Sequence, residues 1–133
     1  MVSIKSSKTL VDEALSSIQT LDALKVKELF KENKCTLIDI RDIRELWNEG
    51  HIDGAVHIPR GMLEFWLDPQ SPYYKEEKFG EDKQKILFCA GGLRSALATK
   101  TLQDMGFKNV AHIQGGFQAM SQNGFKITPK TKD

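Results

Sequence analysis

Apolar residues along this chain fall into two rhythms. Short unbroken runs of four or five residues read as strands buried on both faces: Thr36-Leu37-Ile38-Asp39-Ile40, Ala55-Val56-His57-Ile58 stopped by Pro59, Lys85-Ile86-Leu87-Phe88, and residues 109–113. Residues 18–21 read as a shorter strand. Between these runs the apolar positions recur at helical spacing. Residues 9–17 carry Leu10, Ala14 and Leu15 on one side. Val26, Leu29 and Phe30 follow Asp22, and Ile43, Leu46 and Trp47 follow Asp42; each aspartate is a good N-cap, and Gly50 is placed to end the second helix. A short apolar helix is expected over residues 62–67. A longer one carries Leu97, Ala98, Thr101, Leu102 and Met105 and ends at Gly106, and a last one surrounds residues 117–120. Residues 68–82 are polar, with two prolines and two tyrosines, and read as a surface excursion.

Strand and helix alternate throughout, which predicts an α/β fold with a mostly parallel sheet. Such folds place their sites at the carboxyl ends of the strands, and the strand over residues 85–88 delivers Cys89 to that edge. The 133 residues suit one domain. A content of 40% hydrophobic and 28% charged residues is that of a globular chain with a core of its own. Net charge is +1, from 19 basic and 18 acidic residues, which argues against a broad nucleic-acid or membrane surface. No apolar run approaches the ~18 residues that span a bilayer. The first ten residues are polar, with no apolar signal core behind them, so a cytoplasmic protein is expected. Cys35 and Cys89 are the only cysteines, too few for a disulfide framework and suited to a reducing compartment. Three histidines and two cysteines, none closely paired, disfavour a structural zinc site.

The segment Cys89-Ala90-Gly91-Gly92-Leu93-Arg94-Ser95 carries the chemistry. A strand stops, two glycines permit unusual dihedrals, and a helix begins. Backbone N–H groups of residues 90–95 can then point into one bowl, the helix N-terminus adds positive potential, and Arg94 adds a full charge. Each favours thiolate over thiol at Cys89, and the thiolate is the nucleophile. Without the Gly-Gly-x-Arg-Ser sequence, a buried and inert cysteine would be the better reading.

This loop resembles the C-x-x-G-x-R-S active loop of the rhodanese-like family. Leu37-Ile38-Asp39-Ile40-Arg41-Asp42, followed by Glu45, by Gly50-His51-Ile52-Asp53-Gly54-Ala55 and by Ile58-Pro59, resembles a second family signature. Asn109-Val110 through Gly115-Gly116-Phe117 matches a third. Order and spacing also fit, over about residues 18–123. The resemblance implies a five-stranded parallel sheet flanked by helices on both faces. It implies transfer of a sulfane sulfur, from a small donor such as thiosulfate, to Cys89 and then to a thiol, a protein acceptor or cyanide, without metal or organic cofactor. A monomer is the default. The expected layout is an N-terminal extension over residues 1–17, a domain over 18–127 and a flexible tail over 128–133.

The other candidates divide between function and framework. Ala90, Gly91, Gly92, Leu93, Arg94 and Ser95 form the substrate loop. Arg94 either faces a substrate anion or buttresses the loop through Asp39. Arg60, after Pro59, is a candidate for anion capture against the default of a solvated arginine. Asp39 and Arg41 are more simply structural, pairing with neighbours such as Glu45 or Arg94. His51 and His57 are not needed as bases, and Cys35 is a core or strand-edge residue. Phe65, Trp66, Tyr73 and Tyr74 either wall the mouth of the site or form a satellite core. Two other classes stay open: a cysteine-dependent phosphatase or arsenate reductase on the same fold, and a non-catalytic interaction domain. Four residues separate Cys89 from Arg94, whereas the phosphatases this loop resembles carry one more.

Overall fold

The structure, a computed structural model, describes residues 3–75 and 82–132. Helix α1 (Ser7–Ser17) precedes strand β1 (Gln19–Leu21) and helix α2 (Ala23–Lys31). Strand β2 (Cys35–Asp39), helix α3 (Ile43–Glu49) and the short strands β3 (His51–Ile52) and β4 (Val56–His57) follow. A 3-10 turn (Arg60–Met62) leads into helix α4 (Leu63–Leu67), and beyond the excursion come β5 (Gln84–Phe88), α5 (Leu93–Asp104), β6 (Val110–Ile113), α6 (Gly116–Gln122) and β7 (Ile127–Thr128). Five strands form one parallel sheet in the order β1-β6-β5-β2-β4. The expected α/β architecture with an N-terminal helix is therefore present.

The unbroken apolar runs arise because helices cover both faces. Leu37, Ile86, Phe88, Ala111 and Ile113 point to one side, where Val26 of α2 and Phe117 and Met120 of α6 meet them. Ile38, Leu87 and Val110 point to the other, beneath Leu63 and Leu67 of α4 and Ala98 and Leu102 of α5. Alternate residues of one strand thus serve two cores, as the twofold strand repeat requires. Helix α1 docks on α5 through Val11, Ala14 and Ala96, which fixes the helix that begins at the Cys89 loop.

Local signals act as their chemistry dictates. Asp22 caps α2 by accepting from Lys25 N–H. Asp42 and Glu45 form a full capping box on α3, each side chain accepting from a backbone N–H of the other's turn. The chain end returns to the domain: β7 pairs antiparallel with β3, so Thr128, at the start of the expected tail, lies in a two-stranded ribbon. His51 meets Thr128 there, Nε2 to Oγ1 at 2.8 Å. Part of the surface excursion, including Phe79, lies outside the described residues. Among the described residues no helix is long and apolar enough to cross a membrane.

Candidate active site

Cys89 follows the last residue of β5 and is 1% exposed. Its sulfur sits under the first turn of α5. That helix has no side-chain N-cap; Gly92 stands at the cap position with φ 109°, a conformation that side chains disfavour. The free N–H groups of a helix start need acceptors, and here the acceptor is sulfur. The N–H of Gly92 donates to Cys89 Sγ at 3.1 Å and that of Ser95 at 3.3 Å. The Cys89 thiol lies 3.5 Å from Ser95 Oγ, to which it donates. Two N–H donors at the positive end of a twelve-residue helix favour negative charge on sulfur.

The third sequence signature supports this loop from behind. Phe117 N–H donates to the Cys89 carbonyl at 2.7 Å, and Gln118 N–H to that of Ala90 at 3.2 Å. The backbone of Gly116 passes so close that a Cβ there would stand 2.4 Å from the Cys89 carbonyl oxygen and 2.9 Å from Ala90 backbone atoms. Glycine is required at this position by contact as well as by its φ of 55°.

Arg94 is held by Glu45 of α3 through two bonds, Nη1 to Oε2 at 2.9 Å and Nη2 to Oε1 at 3.0 Å. The partner of Arg94 is thus Glu45; of the two roles left open for Arg94, the buttress through Asp39 has no direct hydrogen bond among the described residues. The Arg94 hydrogen bond holds Glu45 below the usual carboxylate range, helped by the Asp42 backbone N–H. Glu45 in turn raises Arg94, and charge on Cys89 and Asp39 adds to that shift. Asp39 and Arg41 pair with each other, completely buried, with Arg41 Nη2 2.8 Å from Asp39 Oδ2. Arg41 also donates to the Gly50 carbonyl at 3.0 Å and lies 4.0 Å above the Phe117 ring. Removing one member would strand a buried charge at a cost of about 3–5 kcal/mol, so this pair is framework.

Of the remaining loop residues, Gly91 and Leu93 are exposed, Leu93 at 66%, and both line a cleft with Gly92 and His112. Arg60 donates to Glu64 at 2.9 Å and reaches Thr101 at 3.4 Å, on the flank of α5. His57 donates from Nε2 to the Arg41 carbonyl at 2.7 Å. Trp66 lines a cleft of about 510 Å³ with Asp39, His51, His57 and Lys130, while Phe65 and Tyr73 meet edge to face.

Sequence reasoning passed over His112. It lies in β6 between Thr20 of β1 and Leu87 of β5, is 2% exposed, and faces α5. Its Nδ1 is 2.9 Å from Ser95 Oγ and its Nε2 3.0 Å from Thr20 Oγ1. The one available signal was a histidine inside an otherwise apolar strand.

The chain matches the model of the rhodanese-like domain over residues 22–123. It belongs to the rhodanese-like family. A Rhodopseudomonas palustris protein of unknown function, described as a possible tyrosine phosphatase, superposes with TM-score 0.88 at 50% identity, covering 96% of this chain and 98% of that one. The polysulfide-sulfur transferase of Wolinella succinogenes superposes with TM-score 0.68 at 30% identity, over 94% of this chain and 88% of that one. A tRNA uridine(34) hydroxylase from Hamiltonella defensa is 34% identical over 98 residues, 74% of this chain. The chain spans 26% of that relative's length.

Proposed function

We propose that this chain is a sulfurtransferase that carries a sulfane sulfur on Cys89. The observation that carries the reading is that Gly92 N–H and Ser95 N–H both end on Sγ itself, in a loop with four residues between Cys89 and Arg94. Such a ring suits one soft atom bearing one charge. Cys89 thiolate attacks the sulfane sulfur of a donor such as thiosulfate. A Cys89 S–S bond forms, the donor's S–S bond breaks, and sulfite leaves with the electron pair. An acceptor thiolate or cyanide then attacks the outer sulfur, and Cys89 departs as thiolate. The loop N–H groups face Sγ, which bears charge before the first attack and again when Cys89 departs in the second. The sulfur chemistry named for the Wolinella protein agrees with this reading.

A second reading is a cysteine-dependent phosphatase, favoured by the description of the Rhodopseudomonas protein. A phosphoryl group brings three peripheral oxygens, each in need of a donor. Arg94, the cation nearest to serving them, is held by Glu45. Intact-mass spectrometry after thiosulfate treatment, beside an aryl phosphate assay, separates the two. Gain of one sulfur atom on Cys89 is expected, with negligible phosphate release. Cys89-dependent phosphate release, with no persulfide from any sulfane donor, overturns the proposal.

A further inference from the structure

Behind the loop runs a chain of hydrogen bonds that the sulfur-transfer steps above do not use. It starts at Cys89 Sγ, passes through Ser95 Oγ and both nitrogens of His112, and ends at Thr20 Oγ1. Three of its four residues are buried, and Thr20 is exposed. Thr20 and His112 also line a cleft of about 430 Å³ with Gly91, Gly92 and Leu93, beside α1. The chain therefore joins a buried thiol to the surface without a break.

Hydrogen-bond roles along this path are set by chemistry. In the thiol state Cys89 donates to Ser95 Oγ, so the Ser95 hydroxyl is free to donate to His112 Nδ1. Nδ1 must then be unprotonated, and Nε2–H donates to Thr20. Burial lowers His112 from its ordinary value by disfavouring its charged form, so the imidazolium depends on the negative charge left on Cys89. Each donor of this side-chain path has one acceptor and points away from sulfur, while the Gly92 and Ser95 backbone N–H groups point toward it.

We propose that His112 is a positioning residue that takes up the Cys89 proton through Ser95 and so sets when the sulfur nucleophile forms. The step balances. The Cys89 S–H bond breaks and its proton binds Ser95 Oγ, while the Ser95 O–H proton passes to His112 Nδ1. The electron pair stays on sulfur. Ser95 now donates to the thiolate, and the imidazolium donates from Nδ1 to Ser95 and from Nε2 to Thr20. Thiol with neutral imidazole and thiolate with imidazolium are two settings of one bond chain. For the purpose of the step, the inference rests on the sulfur-transfer reading.

The neighbours leave His112 as the group able to accept this proton. β1 presents Thr20, β5 presents Leu87 in register, α5 presents Ser95, and α1 presents Val11 across the cleft. Among the described residues, the charged groups on this side of the loop are Arg94, already paired with Glu45, and the Asp39–Arg41 pair at the end of β2. His51 and His57 are engaged elsewhere, with Thr128 and the Arg41 carbonyl.

The test follows Cys89 by carbon NMR of its Cβ through a pH titration. His112→Asn keeps an acceptor for Ser95 but carries no proton. It should raise the Cys89 midpoint by about one pH unit, which is about tenfold less thiolate below that midpoint. Ser95→Ala should do the same, and the double variant should add nothing. Loading of Cys89 by thiosulfate near neutral pH should slow about tenfold in His112→Asn, with the half-saturating concentration unchanged. An unmoved Cys89 midpoint in folded His112→Asn overturns the proposal. A measurement without change at His112 guards against misfolding: imidazole nitrogen NMR in wild type and in Cys89→Ala. Coupling is reciprocal, so His112 should titrate at higher pH in wild type, and equal midpoints overturn the proposal. No titration uses a sulfur donor. Failure to form a persulfide would sink the sulfur-transfer reading and leave the measured coupling standing.

Discussion

The two cysteines of this chain belong to neighbouring parallel strands, Cys35 as the first residue of β2 and Cys89 just past the end of β5, and are almost equally buried, at 3% and 1% exposure. Their surroundings differ because they lie at opposite ends of the sheet. Cys35 opens β2 and pairs in register with Gln84, the first residue of β5; Cys89 comes after the last. At about 3.3 Å per residue, five residues separate them by roughly 16 Å. Around Cys35 burial acts nearly alone and pushes the thiol up to about 11, Lys83 opposing it only in part. Around Cys89 the helix start, two N–H donors and Ser95 converge. Burial alone makes a cysteine inert. The strand end it occupies decides whether donors meet the sulfur.

The largest effect should come from exchanging the two sites. Cys89→Ser should retain the fold and lose sulfur loading to background, whereas Cys35→Ala should keep loading and lose about 1 kcal/mol of stability. Mass spectrometry and thermal melts read both. Near-wild-type turnover in folded Cys89→Ser would remove the contrast.

The next effect concerns ionisation. In Cys89→Ser, the Cβ of Cys35 should report a thiol titrating at about 11. That leaves about 0.1% thiolate at pH 8. The same geometry predicts no intramolecular disulfide, since a bridge needs Cα atoms within about 7 Å. Peptide mapping that finds a Cys35–Cys89 link in folded, oxidised monomer would contradict the strand placement.

Gly116→Ala tests the support behind Cys89 without touching sulfur. Its Cβ meets backbone, which cannot swing aside. Stability should fall by about 1–3 kcal/mol, and loading by about tenfold as Cys89 shifts. Unchanged loading in a folded variant would show that the loop does not depend on this contact.

Glu45→Gln should act more weakly, because the Arg94–Glu45 pair is partly exposed, at 43% and 26%. A pair so screened contributes under about 1 kcal/mol. Glu45 is lower in the folded state than unfolded, so its stabilisation is present above its ordinary value of 4.5 and lost as pH falls through the folded value. Glu45→Gln should flatten that acid loss in pH-dependent melts. It also frees Arg94, and apparent thiosulfate affinity should rise by about threefold at low salt and less at high salt. Arg60→Ala should be the mildest change, about twofold or less in affinity, because Glu64 already neutralises that arginine.

The alternation of elements, the caps at Asp22 and Asp42, and the delivery of Cys89 to a strand end are all legible along the chain. These are local matters of periodicity, side-chain acceptors and dihedral freedom, and they are written in consecutive residues. Three signatures in order also marked the family. Tertiary structure decided the pairings between distant residues. Arg94 and Glu45 are 49 positions apart, Ser95 and His112 are 17, and Thr20 and His112 are 92. Strand order brings β6 between β1 and β5, and only that order sets Thr20 and His112 side by side. The close passage of Gly116 behind Cys89 likewise depends on how two loops meet at one sheet edge. A chain can state which residues are able to donate, accept or ionise. Which of them meet follows from the packing of layers, because a hydrogen bond needs its atoms within about 3 Å, and sequence distance carries no such length.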